Sequence, residues 1–153
     1  TTLQPNLGIV ELSRYRRLVV ADIPGLIEGS HAGHGLGHEF LRHIERTRII
    51  VHLLDVTGGE SGDPAKNYRI IREELNLYSP VLARKPEMIV AAKMDLDGDE
   101  TYLELLQESL GQKLVAISAV TGRGLEGLGE KLWRMVQHCR HEEQITANES
   151  RPA

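Results

Sequence analysis

The feature that most constrains this chain is a recurring alternation. Short aliphatic runs, RIIVHLLDV (48–56), EMIVAA (87–92) and KLVAIS (113–118), are each followed by a segment whose apolar residues recur at helical spacing. A strand, a helix and a further strand in that rhythm dictate a mainly parallel sheet with helices on its faces. RIIVHLLDV is nearly continuous in apolar and β-branched residues, the pattern of a strand covered on both faces. Ahead of it, LGIVEL (7–12) and RLVVADI (17–23) flank a polar link at 13–16, which predicts an antiparallel hairpin.

The intervening helices carry their own signals. Leu36, Phe40, Leu41 and Ile44 repeat at helical spacing among Arg42, His43, Glu45 and Arg46. Asp63-Pro64 is an N-cap followed by proline at the first helical position, and that helix stops before Pro80. Asp99 is placed to cap a helix bearing Tyr102, Leu105, Leu106 and Leu110, with Gly111 ending it. Leu125, Leu128, Leu132, Met135 and Val136 stripe the last helix, and from His141 the chain is polar and non-periodic, which predicts a frayed tail over 141–153. The fold class is α/β, with one domain over 1–140.

Composition narrows the function classes. With 153 residues, one domain and one sizeable core are expected. Aromatics are 4%, so the core is aliphatic. A net charge of −4 argues against a bulk nucleic-acid surface, and no direct DNA binding is expected. The single Cys139 excludes an internal disulfide and fits a reducing, cytoplasmic setting. No apolar run approaches the ~20 residues of a membrane span.

Ligands of parallel sheets bind at the carboxyl ends of the strands. Asp22, Asp55, Lys93 to Asp95, and Ser118-Ala119 all fall at such ends. Asp22 precedes Pro24-Gly25: its carboxylate suits Mg²⁺ through water, and the Gly25 N–H suits a terminal phosphate. A strand-ending Asp before a turn is the plain alternative. The Thr1 and Thr2 hydroxyls could complete Mg²⁺ coordination, or be merely terminal. Asp95 could accept the ring N–H and the exocyclic amine of guanine, a pair adenine does not offer; a solvated charged loop is the alternative. His31, His34, His38 and His43 suggest a transition-metal site. Glycines at 33, 35 and 37 interrupt the helix, however, and no Cys or acid cluster completes a tetrahedral set.

Together these segments resemble the Obg family of GTPases. TTLQPNLGIV is similar to that family's switch I and following strand, and ADIPGLIEGSHAGHGLGHEFLRHIERTR to its switch II. AAKMD stands where the guanine motif N-K-x-D belongs, and SAV where the S-A motif belongs. The resemblance implies a P-loop-NTPase-like G domain that binds GTP or GDP with Mg²⁺, hydrolyses GTP slowly and acts in ribosome assembly on the large subunit. It implies Thr1, Thr2, Asp22, Ile23, Pro24, Gly25, Ala92, Lys93, Met94, Asp95, Ser118, Ala119 and Val120 as nucleotide-site residues, with Thr2 and Asp22 at the metal. Lys93 would pack on the base, and Ser118 to Val120 would hold its far side. Leu26 follows the D-x-x-G, where many GTPases carry a water-orienting glutamine, so slow hydrolysis is expected.

Two departures accompany the resemblance. Ala92 replaces the family's Asn, removing a hydrogen-bonding amide worth about 1–3 kcal/mol if its partner stays buried. No G-x-x-x-x-G-K-[ST] occurs, and the family's central first strand and first helix, with its N-terminal glycine-rich domain, are expected to lie outside this sequence. A gap, or an abnormal direct pairing, is then expected between the RLVVADI and RIIVHLLDV strands. The alternative function is a non-hydrolysing module that binds a partner through switch II and the basic face of Arg42, Arg46 and Arg48.

Overall fold

A computed structural model describes residues 6–23 and 38–152 of the protein. Strands β1 (Leu7–Ser13) and β2 (Arg16–Ala21) form the expected antiparallel hairpin, with Ile9 opposite Val19 and an irregularity between Glu11 and Ser13. Helix α1 (His38–Glu45) leads into β3 (Ile50–Asp55). Helices α2 (Pro64–Tyr78) and α3 (Pro80–Ala83) lead to β4 (Glu87–Ala92), α4 (Thr101–Leu110) to β5 (Val115–Ala116), and α5 (Leu125–Glu149) closes the chain.

Strands β3, β4 and β5 make a parallel sheet in that order. Its register sets Asp55 beside Ala92 and Val90 beside Val115. The hairpin is a separate sheet, so β2 and β3 do not pair. Of the two outcomes expected from sequence, the gap is the one observed.

The main core lies between the three-stranded sheet and α2 with α4. Leu54, Val56, Ala65, Ile89, Ala91, Met94, Leu103 and Leu106 are its buried members. A second cluster joins Ile44 of α1, Ile50 of β3, Leu75 of α2 and Leu82 of α3, and Ala21 and Ile23 pack against it from the end of β2. Helix α5 anchors the hairpin. Arg16 of β2 forks onto Glu130 through two 2.8 Å bonds, and Leu12 of β1 packs so tightly on Gly129 that an added Cβ would meet its Cδ2 at 2.5 Å.

Four sequence expectations are corrected. Strand β3 is covered on one face only: Ile50, His52 and Leu54 are buried, while Val51 and Leu53 remain 37% and 59% exposed. No described element lies over that second face closely enough to bury it. The last strand is two residues long: the Ile117 N–H still bonds Ala91 of β4, but the Ile117 carbonyl and the Ser118 N–H turn to the site loops, at Met94 and Arg123. Helix α4 is capped chiefly by Asp97 rather than Asp99. The Asp97 carboxylate accepts from the Tyr102 N–H at 3.2 Å and the Leu103 N–H at 2.9 Å, whereas Asp99 accepts from Thr101. Finally, the segment from His141 continues α5 to Glu149 in place of a frayed tail. An apolar stripe is not needed there: Arg48 pairs with Glu143, His138 with Glu142 at i, i+4, and the Thr146 hydroxyl bonds the Glu142 carbonyl. The Asp63 cap and the stop before Pro80 stand as the sequence predicts.

Candidate guanine-reading edge

The carboxyl ends of β3, β4 and β5 converge on one edge. Strand β4 delivers Ala92, whose carbonyl accepts from the Val56 N–H at 3.1 Å. The next residue, Lys93, sits in the left-handed region with φ of 61°. That conformation is uncommon for a side-chain-bearing residue and costs free energy, so the surroundings must hold it. They do so from two sides. Lys93 Nζ reaches Asp55 Oδ2 at 3.0 Å, and a short 3₁₀ turn over Met94–Leu96 starts at once, with Met94 buried in the core.

Asp55 is itself fixed. Its Oδ1 accepts from the Thr57 N–H at 2.9 Å and from the Thr57 hydroxyl at 2.7 Å. Burial pushes this carboxyl up, but the Thr57 and Lys93 hydrogen bonds and the Lys93 charge outweigh it and hold it below its ordinary value. It is therefore an anion at neutral pH and a firm counter-ion for Lys93.

Asp95 and Ser118 meet across the same edge. The Ser118 hydroxyl donates to Asp95 Oδ1 at 2.8 Å and accepts from the Thr121 N–H at 3.2 Å. Ser118 is fully buried, while Asp95 is exposed. The loop is laced to the sheet by backbone: Ile117 N–H bonds the Ala91 carbonyl at 2.8 Å, and Met94 N–H bonds the Ile117 carbonyl at 3.1 Å. Gly124 permits the return into α5, since a Cβ there would lie 2.3 Å from the Ala116 carbonyl oxygen. Each carboxylate oxygen has two acceptor positions, so Asp95 keeps three for a ligand after bonding Ser118. Ala119 and Val120 are exposed beside this pair, Val120 to 84%.

The structure thus brings Ala92, Lys93, Met94, Asp95, Ser118, Ala119 and Val120 to one edge. Asp22 and Ile23 follow β2, with the Asp22 N–H bonded to the Asn6 carbonyl at 3.0 Å and its side chain exposed. Thr1, Thr2, Pro24, Gly25, Leu26, His31 and His34 lie outside the described residues, and His43 is exposed on α1. An exposed carboxylate fits Mg²⁺, a hard cation that takes one or two carboxylates and keeps its waters. Among the described residues no group of three or more His, Cys, Asp or Glu gathers as a metal site, and no helix is long and apolar enough to cross a membrane. The role of Asp97 as a cap has no signal in the sequence. In the sequence Asp55 is only a strand end; its pairing with Lys93 depends on the β3–β4 register.

Comparison with known proteins assigns the chain to a family. A family model described as 50S ribosome-binding GTPase matches residues 1–93. The chain belongs to that class of GTPases. Within it, the chain is 49% identical over 146 residues to GTPase Obg of Aquifex aeolicus, covering 94% of this chain and 43% of that protein. It is 57% identical over 130 residues to GTPase Obg of Desulfitobacterium hafniense, covering 84% of this chain and 31% of that protein. These relatives make it an Obg-family G domain. The chain spans less than half the length of either relative. Among solved structures, Era in complex with MgGDPNP and a 16S ribosomal RNA segment superposes with a TM-score of 0.61 at 23% identity, covering 88% of this chain and 45% of that one. An Aquifex aeolicus Era bound to GDP.AlF4- gives 0.60 at 25% identity, with the same coverages. Those likenesses establish the G-domain fold.

Proposed function

We propose that this chain supplies the base-reading and γ-phosphate-sensing portions of a GTP site, in a protein that hydrolyses GTP slowly with Mg²⁺ and acts on the large ribosomal subunit in the cytoplasm. The observation that carries the reading is the Ser118–Asp95 bond at the parallel edge. It aims a carboxylate outward with acceptor capacity left for the ring N–H and the amine of guanine. Lys93, held by Asp55, lies alongside to cover the base. Asp22 would hold Mg²⁺ through water, with Thr1 and Thr2 completing that side; Ile23, Pro24 and Gly25 would meet the γ-phosphate. Bound Mg²⁺ would supply charge neutralisation at the phosphates. The 50S description of the family model and the ribosomal RNA bound to Era support the ribosomal part.

Nucleotide titration followed by amide NMR tests the base-reading edge. GTP should shift the amides of Lys93, Asp95 and Ser118, and ATP should not. Asp95→Asn should move the preference from guanine toward xanthine, whose carbonyl accepts where guanine's amine donates. Equal shifts with ATP would refute the assignment. Because no G-x-x-x-x-G-K-[ST] cradle occurs in the sequence, calorimetry on this chain alone should show affinity weaker than micromolar and no turnover.

A further inference from the structure

At the opposite end of the same strands, an open groove of about 670 Å³ runs between the last turns of α5 and the links entering β3 and β4. Strands of six residues put it about 20 Å from the nucleotide edge. Four cations line it: Arg46 and Arg48 before β3, and Arg84 and Lys85 before β4. Arg48 is already bound, its guanidinium forked onto Glu143 of α5 through two 3.1 Å bonds. Arg46, Arg84 and Lys85 have no ion pair among the described residues. Three cations without an ion pair among the described residues therefore lie on one concave face, from two links, in a chain whose net charge is −4. Apolar surface lies between them, from Val81, Pro86 and Ala147.

We propose that this groove docks an acidic peptide segment of a partner protein. Its carboxylates pair with Arg46, Arg84 and Lys85, and its interleaved apolar side chains lie on Val81, Pro86 and Ala147. The volume is within the roughly 300–1,000 Å³ of ligand clefts, which suits a short segment. A nucleic acid fits less well. No lining residue is aromatic, so bases find no stacking platform. Carboxylates spaced by apolar residues match the pattern of the lining itself.

The half-buried Cys139 lines the groove and is the only cysteine, so it reports occupancy. The probe is a short fluorescein-labelled peptide alternating Glu with Leu, read by anisotropy at low salt on the chain as it exists. Binding should fall about tenfold or more in Arg84→Glu/Lys85→Glu, and by a smaller factor in the neutral pair Arg84→Gln/Lys85→Gln, which guards against misfolding by charge reversal. Saturating peptide should slow the reaction of Cys139 with a disulfide reagent. Amide shifts on binding should cluster at 81–86 and 139–147, leaving Lys93, Asp95 and Ser118 unmoved. Unchanged affinity in both variants, unslowed Cys139 chemistry, or tighter binding of a uridine oligomer of equal charge would overturn the proposal. So would a dimer of the chain that the same substitutions break, which would assign the groove to a second copy.

Discussion

Replacing Glu87 by Leu should destabilise the chain by about 2–3 kcal/mol, and the structure shows why. Glu87 opens β4 with its side chain 14% exposed. Oε1 accepts from the Tyr68 hydroxyl at 2.6 Å, and Oε2 from Arg72 Nη1 at 2.9 Å. His52 Nδ1 stands 3.8 Å from Oε2, beyond hydrogen-bond distance. Burial pushes the Glu87 carboxyl up, but His52, the Tyr68 bond and Arg72 together hold it below its ordinary value of 4.5. Half-buried Tyr68 is pushed up to about 12 by desolvation and by its hydrogen bond to the same carboxylate. Hydrogen bonds to a charged group are worth about 1.5–3 kcal/mol, and a fully buried pair broken on one side costs about 3–5 kcal/mol. Arg72 is 26% exposed and keeps its 2.7 Å bond to the Ala83 carbonyl, so the loss falls toward the lower figures. Urea unfolding measures it. The double variant Glu87→Leu/Arg72→Leu should be less destabilised than the sum of the singles, because no charge is left stranded. Since the folded carboxyl lies below its unfolded value, the contribution is fully present above about pH 4.5 and is lost as pH falls through the folded value. A loss under ~0.5 kcal/mol in Glu87→Leu, or full additivity in the cycle, would refute this reasoning.

Other outcomes follow from the same contacts. Asp97→Ala strips two amides of their acceptor and should cost about 1–2 kcal/mol in thermal or urea unfolding, with Asp99→Ala costing clearly less. Ser118→Ala should cost about 1–3 kcal/mol, because it frees Asp95 and leaves the Thr121 N–H short of a partner. Gly124→Ala should destabilise by more than 1 kcal/mol, since φ is 75° and the Cβ collides with backbone. In hydrogen exchange, β3 amides not bonded to β4 should exchange far faster than those of β4; slow exchange throughout β2 and β3 would contradict the separate sheets.

The rhythm of strands and helices was legible because burial period and chain punctuation coincide. Asp63-Pro64 named its own helix start, and the β-branched runs of β3 and β4 named a parallel sheet. The α4 cap was not legible, because Asp95, Asp97 and Asp99 alternate along one loop and only the fold decides which carboxylate turns inward. The end of α5 was missed for a related reason: exposed helix is held by i, i+4 and cross-element charge pairs that leave no apolar stripe. Ser79 ends α2 and caps α3 at once, a double use that the sequence reads simply as a stop. At the candidate base-reading edge, the sequence marks residues that the fold gathers together, but not the contacts that anchor them. Asp55 and Lys93 are 38 positions apart and meet only through strand register.

The lacing of Ala91, Ile117 and Met94 by backbone bonds has an entropic consequence. Loops at a binding edge ordinarily surrender conformational freedom when a ligand arrives, and that loss is subtracted from the affinity. Here Asp95 and Ser118 already hold one another, and the strained turn at Lys93 is already held by Asp55. The base would meet a surface whose ordering was completed during folding, so its recognition should draw little on binding energy and leave more of it for whatever rearrangement the phosphates drive.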